Sequence, residues 1–256
     1  MKFPFLSFSC AFALLLSACA SPAENEQESR WYSSYQRQTH ALSAEGQPKG
    51  YKAGLTSAAS REQFGSDRAL AGNLYRQLPE GGTVSVAGYV KPMLEMELAF
   101  RLNQVVTKPI SRVDDLLPLI AAVAPAFELP DLGLLKKRPP SPFDIVEANV
   151  AAHSFVVGRA MNVNAQCIET IQARLWHNGQ LQKSASVTEL EGGVWMVLLN
   201  LINNRIAQGW EITTDQWLLS GALGGMQALA PQEYVADFRC FGEFAGRIQL
   251  LVEAGN

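Results

Sequence analysis

Two glutamates stand two positions apart in an apolar segment, LEMELAF, which runs from Leu94 to Phe100. Side chains two apart on a strand point to the same face, about 6 to 7 Å apart along the chain, so Glu95 and Glu97 share a face. If that face is buried, two ionised carboxylates repel each other and resist desolvation unless a cation or strong donors compensate them. A hard divalent cation such as Mg²⁺ is the simplest compensator. The segment alone also allows a solvated face on a half-exposed strand, since alternation is typical of such strands.

A third carboxylate, Glu128, lies in the segment APAFELPD, directly after a stretch predicted to be an apolar helix. Its neighbours Phe127, Leu129 and Pro130 are apolar, and a carboxylate without a binding partner is not expected among them. Together the three carboxylates could form an oxygen-rich site for Mg²⁺ or Mn²⁺. Their convergence depends on the fold, which sequence spacing does not determine.

The strands that would position these carboxylates are predicted from period-two alternation and β-branched residues. Two of them cover residues 84–90 and 94–102, separated by Lys91-Pro92. The second half of the chain is strand-rich, with Asn178-Gly179 between two alternating runs. This dipeptide predicts a hairpin, because both turn positions need positive φ.

Helices are predicted over residues 31–44, 114–127 and 194–208, the last closed by Gly209. Asp114 and Asp115 suit the first turn of the second helix. Long helices are few, and strands do not alternate strictly with helices. The pattern therefore favours a mixed α+β fold over a doubly wound parallel sheet.

Composition limits the classes of protein to consider. The chain has 256 residues, of which 48% are hydrophobic and 18% charged, as in a globular protein that buries one substantial core. A net charge of -3 gives no positive field for phosphates, so nucleic acid is not an expected partner. Beyond the N-terminal region the cysteines are Cys167 and Cys240, which could pair in an oxidising envelope or remain as buried thiols.

The N-terminal residues have the layout of a secretory signal: a cation at Lys2, an apolar stretch from Phe8 to Leu16, then small residues. The stretch is shorter than the about 20 apolar residues that span a bilayer. Its tail, LSAC, resembles the bacterial lipobox, which implies lipidation of Cys19. No aspartate follows that cysteine, which implies the outer membrane rather than the inner one. An ordinary apolar N-terminal helix is the alternative.

These features predict three parts of the chain. Residues 1–18 form a lipoprotein signal peptide, residues 19–30 a lipidated cysteine with a flexible polar tether, and residues 31–256 a single domain, with two domains as the alternative. The expected location is the cell envelope of a Gram-negative-type bacterium, on an outer membrane and facing the periplasm, with the lipid as the membrane anchor.

Five segments, in order, resemble the fumarylacetoacetate hydrolase superfamily, and within it the branch of 2-oxo-pent-4-enoate hydratases and 2-oxo-acid decarboxylases. They are GYKAGLTS, LEMELAF, PAFELPD, NVAAHSFVVG and LSGAL, and the likeness runs from about Tyr35 to the C-terminus. The resemblance implies a mixed β-roll with flanking helices, as in the C-terminal domain of fumarylacetoacetate hydrolase. It also implies Mg²⁺ or Mn²⁺ held by Glu95, Glu97 and Glu128.

The same resemblance implies the remaining site residues and the partners. Lys52 falls on the family's lysine and would act as the acid/base group, if burial or a nearby cation lowered its pKa. The substrate would be a small 2-oxo acid or its dienol, with its carboxylate held by Ser57, Ser220 and Gly221. Relatives form homo-oligomers, so self-association is implied as well.

One departure from the family pattern bears on the reaction. Family members often carry a P-D-x-G pattern after GLTS, ahead of a leucine. Here the glycine and leucine are kept as Gly72 and Leu74, but Ala69 and Leu70 replace the proline and the acid. Asp67 is the nearest acidic residue and could substitute only across a large displacement for a catalytic group.

Two later motifs are altered as well. The basic residue expected after the third glutamate is displaced into the segment Lys136, Lys137 and Arg138. The family's A-D-N pattern appears as Glu147-Ala148-Asn149, which keeps the asparagine and moves the acid.

The leading expectation is a metal-dependent hydratase-like enzyme that stabilises an enolate and adds water to a dienol. The change at Leu70 leaves open decarboxylation or tautomerisation, which need no added water. A third alternative is a non-catalytic envelope lipoprotein that binds a 2-oxo acid.

Overall fold

The computed structural model describes residues 22–255, so the predicted signal peptide and Cys19 lie outside the described residues. The fold is mixed α and β, with a curled sheet and flanking helices, which confirms the predicted fold class. The helices are α1 (Pro22–Ala41), α2 (Ala58–Phe64), α3 (Val113–Leu116), α4 (Pro142–Glu147), α5 (Ala165–Ile168) and α6 (Val194–Ala207). The strands are β1 (Gly50–Gly54), β2 (Leu70–Leu74), β3 (Gln77–Leu78), β4 (Thr83–Ser85), β5 (Met93–Leu102), β6 (Ile120–Leu129), β7 (Ser154–Val157), β8 (Gln172–His177), β9 (Gln180–Ser186), β10 (Trp217–Leu219), β11 (Leu223–Ala228), β12 (Gln232–Cys240) and β13 (Glu243–Glu253).

Two sheets form the body of the protein over the described range. The larger one runs β2-β1-β10-β5-β6-β7-β3, with β11 also paired to β5, and the smaller one runs β4-β13-β12-β8-β9. Strands β12 and β13 contact β6, and α6 packs on β1, β2 and β10. Strand β5 lies between β10 and β6 in the larger sheet, and all its residues from 94 to 100 are buried, so its burial does not alternate.

The hairpin predicted at Asn178-Gly179 is confirmed. Strands β8 and β9 meet there, with φ of 45° at Asn178 and 75° at Gly179. The predicted helix over 194–208 is confirmed as α6, and Gly209 follows it with φ of 83°.

The predicted helix over 114–127 is wrong. Only a short turn, α3, is helical at its start, and Ile120–Leu129 forms the central strand β6 between β5 and β7. Periodicity cannot separate a short apolar helix from a strand buried on both faces. Pro125, inside the segment, was the available signal against a helix, since proline removes a helical hydrogen bond and clashes with the preceding turn.

Two other elements differ from expectation. The strand predicted over 84–90 is limited to β4, because the Ser85 side chain accepts a hydrogen bond from the Ala87 amide (3.2 Å) and starts a 3₁₀ turn over 86–88. Helix α1 begins at Pro22, so residues 22–30 are helical where a flexible tether was expected. Glu28 on this part of α1 forms an ion pair with Arg68.

Cys167 and Cys240 form a disulfide, with their Cα atoms 5.4 Å apart. It joins α5 to the end of β12. No helix within residues 22–255 combines the length and apolar composition needed to cross a membrane.

Candidate metal and substrate site

Strands β5 and β6 bring the three predicted metal ligands together. Glu95 on β5 lies directly opposite Glu128 on β6, and Glu97 lies on the same face of β5 two residues further along. Each residue offers a carboxylate oxygen, and these oxygens lie within 4.8 Å of one another. Glu95 is 7% exposed and the other two are fully buried, so the solvated-face interpretation does not hold.

The protein compensates the negative charge of the buried carboxylates only in part. One oxygen of Glu97 accepts a hydrogen bond from the Gly221 amide at 2.6 Å. The second oxygen of Glu97 and one oxygen of Glu128 have no hydrogen-bond partner among residues 22–255. Burial raises the pKa of both carboxyl groups well above the ordinary value, and the Glu95 carboxylate raises each further.

Lys52, on β1, supplies the positive charge nearest to these carboxylates. Its Nζ donates to Glu128 Oε2 at 2.5 Å and lies 3.8 Å from Glu95 Oε2. Burial works to lower the pKa of Lys52, but the carboxylates outweigh it and the net shift is upward. The direction of the pKa shift is therefore opposite to the one expected from the sequence, because three acids face one ammonium group.

A cavity of about 460 Å³ opens above the carboxylates, with Lys52 and Glu95 in its wall. Most of its remaining wall is apolar and comes from α2, α4, β11, the loop after β6 and the segment 149–151: Phe64, Leu132, Leu135, Ile145, Val150 and Met226. Lys91 and Arg138 also line it, at exposed positions. The arrangement can hold an organic anion with an apolar body beside the carboxylate cluster.

The three residues predicted to bind the substrate carboxylate are separated by the structure. Ser57 lines the cavity and also caps α2, where its hydroxyl accepts from the Ser60 amide at 3.2 Å. The Ser220 hydroxyl instead accepts from the Leu98 amide at 3.0 Å, is fully buried and does not line the cavity. Gly221 directs its amide to Glu97, so Ser220 and Gly221 hold β5 and its glutamate in place.

The residues near Leu70 provide no acid to the cavity. Leu70 is buried in the hydrophobic core, and its partner in the sheet is Gly54. The Asp67 carboxylate is exposed and accepts hydrogen bonds from Gln27 and Arg68, outside the cavity wall. Asp67 therefore does not replace the missing acid.

The sequence did not single out the segment over 149–151 as part of the site. The Val150 carbonyl accepts a hydrogen bond from Lys52 Nζ at 3.3 Å, and Val150 and Ala151 line the cavity. The retained asparagine of the altered A-D-N motif was the available signal.

No family model matches the chain. It is similar to 4-oxalocrotonate decarboxylase of Pseudomonas putida, with 23% identity over 192 residues covering 73% of this chain and 71% of the relative. It is also similar to 2-keto-4-pentenoate hydratase of Paraburkholderia phymatum, with 26% identity over 197 residues covering 75% of each chain.

Two solved structures have a fold similar to that of this chain. The 4-oxalocrotonate decarboxylase of Pseudomonas putida G7, complexed with magnesium and adipate, aligns with a TM-score of 0.75 and 21% identity, covering 91% of this chain and 90% of that one. Fumarylpyruvate hydrolase from Pseudomonas aeruginosa, in complex with Mn²⁺ and pyruvate, aligns with a TM-score of 0.57 and 12% identity, covering 80% and 89%.

Proposed function

We propose that this chain is a member of the fumarylacetoacetate hydrolase superfamily, in the branch of 2-keto-4-pentenoate hydratases and 2-oxo-acid decarboxylases, and that it is a divalent-metal-dependent enzyme of 2-oxo acids. The observation that carries the proposal is the buried convergence of Glu95, Glu97 and Glu128, with Glu95 in the wall of a cavity. Relatives of both kinds, hydratase and decarboxylase, support a substrate that is a small 2-oxo acid or its dienol.

The residues present fit a divalent cation, Mg²⁺ or Mn²⁺. Three carboxylates against one ammonium leave a negative excess in a buried site, and two carboxylate oxygens have no partner among the described residues. Oxygen-only ligands are those that hard cations prefer, and both cations leave coordination positions for substrate oxygens. Similar folds that contain Mg²⁺ or Mn²⁺ add support.

A cation bound to these glutamates would supply Lewis-acid chemistry, drawing electron density onto the 2-oxygen and so stabilising an enolate. The chain's own residues do the rest. Lys52, whose Nζ lies within 3.8 Å of Glu95 and faces the cavity, is placed to give or take a proton at a substrate carbon. Ser57 also lines the cavity; its hydroxyl donates to Ser60 Oγ at 3.0 Å and would turn to the substrate carboxylate when substrate binds.

Between the reactions of this branch, the buried Leu70 favours one without added water. Hydration needs a group that activates water, and neither Leu70 nor Asp67 offers one to the cavity. In decarboxylation, the carbon–carbon bond to a carboxylate conjugated with the 2-oxo group breaks, CO₂ leaves, and the electron pair passes to the 2-oxygen as an enolate. A proton from Lys52 then completes the product. Tautomerisation uses the same proton transfer without loss of CO₂.

The test uses the purified protein with Mg²⁺ and a panel of 2-hydroxydienoates and unsaturated 2-oxo dicarboxylates. Loss of ultraviolet absorbance and release of CO₂ are followed separately, with EDTA as the matched control. Metal-dependent turnover with CO₂ release is the expected result, and turnover without it identifies hydration or tautomerisation. Absence of both turnover and metal binding contradicts the enzyme proposal. Metal binding with ligand-induced stabilisation but no turnover supports the non-catalytic alternative.

We also propose that the protein is anchored by a lipid on Cys19 at the outer membrane of a Gram-negative-type bacterium, facing the periplasm, and that it self-associates. The lipobox-like sequence supports the anchor. The bond between Cys167 and Cys240 supports an oxidising compartment, since disulfides persist there and are rare in the cytosol.

A further inference from the structure

Three consecutive non-glycine residues adopt left-handed backbone conformations beside the candidate site. Asn149, Val150 and Ala151 have φ of 53°, 54° and 56°, and this segment, 149–151, is called the left-handed turn below. Asparagine tolerates this region, but a β-branched valine there is an outlier. Such a turn persists only when surrounding contacts hold it.

The side chain of Asn149 provides two of these contacts. Its Oδ1 accepts from the Asn73 amide at 2.8 Å, and its Nδ2 donates to the Asn73 carbonyl at 2.8 Å. The Asn73 side chain is itself fixed, because its Oδ1 accepts from the buried Arg205 Nη1 at 2.8 Å. Asn149 therefore clamps the left-handed turn to the backbone of β2.

Glycines in β1 and β2 let the turn approach the sheet closely. A Cβ atom at Gly72 would lie 2.8 Å from the Asn149 carbonyl oxygen, and one at Gly54 would lie 2.4 Å from Val150 Cγ1. Both distances are shorter than real Cβ contacts, so a side chain at either position would push the turn away from Lys52.

The turn presents one carbonyl to the lysine. Lys52 Nζ has three N–H donors, and two of them go to Glu128 Oε2 at 2.5 Å and to the Val150 carbonyl at 3.3 Å. The remaining side of the ammonium group faces Glu95, at 3.8 Å, and the cavity. Because the Val150 carbonyl accepts one N–H of Lys52, it helps to orient the third N–H toward the cavity.

We propose that Asn149 is a positioning residue of this site. By clamping the left-handed turn to Asn73, it keeps the Val150 carbonyl on Lys52 and leaves one N–H of the ammonium group directed into the cavity. The inference rests on the proposed function, in which Lys52 transfers a proton to or from the substrate.

The test measures the environment of Lys52 without needing a substrate. Lysine amines of the full chain are labelled with acetic anhydride, and labelling at Lys52 is compared by mass spectrometry with labelling at Lys183. Lys183 is an internal reference, since it is half-buried and its Nζ donates to the carbonyls of Gly224 and Gly225, at 2.7 and 3.0 Å, rather than to the turn. Global destabilisation would raise both rates, whereas loss of the turn would raise only that of Lys52.

In Asn149→Ala, the ratio of Lys52 to Lys183 labelling should rise about tenfold, because an ordinary hydrogen bond shifts an equilibrium by roughly that factor. Asn103→Ala is the matched control: its side chain donates to the Pro118 carbonyl at 2.8 Å at an exposed position remote from the turn, and its ratio should stay unchanged. Asn149→Gly lets the backbone keep positive φ without the clamp, and its ratio should also rise. It serves as the test if Asn149→Ala does not fold.

An unchanged ratio in a folded Asn149 variant overturns the proposal, whatever the enzyme assay gives. A raised ratio in a protein that shows no turnover supports the positioning role of Asn149 while contradicting the proposed function. Where turnover is found, Asn149→Ala should lower kcat with little change in KM, with kcat calculated per folded enzyme so that a loss of stability does not contribute.

Discussion

Glu97 carries the least compensated charge of the site. It is fully buried, one of its oxygens accepts from a backbone amide, and the other has no partner within the described residues. Lys52 is hydrogen-bonded to Glu128 rather than to Glu97. Glu97 would therefore contribute most to the binding of a cation between the carboxylates. Removal of its charge should weaken cation binding most directly.

Glu97→Gln should lower Mg²⁺ affinity at least about tenfold, because it removes an anionic ligand and keeps the side-chain volume. Titration calorimetry provides the measurement. Glu189→Gln is the matched control: Glu189 also lines the cavity, but its oxygens accept from the amides of Ser186 and Gly224 and it is not one of the clustered ligands. Equal affinities for the wild type and the Glu97 variant would contradict the ligand assignment.

The pH dependence of stability follows from the same residue. The pKa of Glu97 is raised by burial above its ordinary value of 4.5, so the folded protein binds this proton more tightly than the unfolded chain does. Its contribution to the free energy of unfolding therefore falls as pH rises from 4.5 through the raised pKa. In EDTA, urea unfolding should lose more stability across this window for the wild type than for Glu97→Gln. Parallel curves would contradict the raised pKa.

At the scale of elements, the site depends on the register of β5 with β6 and on the turn that follows β10. The register places Glu95 against Glu128, and the turn places the Gly221 amide on Glu97. Gly221 has φ of 86°, and a Cβ atom there would lie 2.5 Å from Thr56 Oγ1. A glycine is therefore required at this position for two separate reasons.

Gly221→Ala should lower the free energy of unfolding by about 2 kcal/mol or more and weaken Mg²⁺ binding, since backbone strain and displacement of Thr56 add together. Gly225→Ala separates the two causes, because Gly225 has φ of 67° but a Cβ atom there would meet nothing within 4 Å. That control should lose only about 1 kcal/mol and keep its metal affinity. Equal losses for both variants in urea unfolding would argue against a special role of the turn.

The sequence predicted β5, the hairpin at Asn178-Gly179 and α6, where local periodicity and turn chemistry agree with the final structure. It failed at β6, because burial on both faces removes the alternation that identifies a strand. The three glutamates were found through their types and order in the chain. The clamp of Asn149 on Asn73 was not, since it depends on a contact between residues 76 positions apart.

At the scale of the whole molecule, the proposed lipid anchor on Cys19 is close in sequence to α1. Helix α1 begins at Pro22, close after the predicted lipidation site, and its buried Trp31 packs against Phe143 on α4 with ring centroids 4.4 Å apart. A lipid on Cys19 would therefore hold the body close to the membrane surface, with little intervening chain.

Cys19→Ser should move the protein from the membrane fraction to the soluble fraction, because acyl chains supply the membrane affinity in the proposed anchor. Fractionation of expressing cells with and without detergent is the measurement. Cys10→Ser is the matched control, since that cysteine lies within the predicted signal peptide. An unchanged detergent requirement in Cys19→Ser would argue against lipidation.

Glu95, Glu97 and Glu128 are proposed above to hold a divalent cation. The most direct test of this proposal is the anomalous scattering of crystals grown with Mn²⁺, a cation that absorbs strongly enough to be located. We expect one strong peak between the three carboxylates, within about 2.0 to 2.3 Å of an oxygen of each. Full-strength Mn²⁺ peaks elsewhere on the protein, with none between these glutamates, would contradict it.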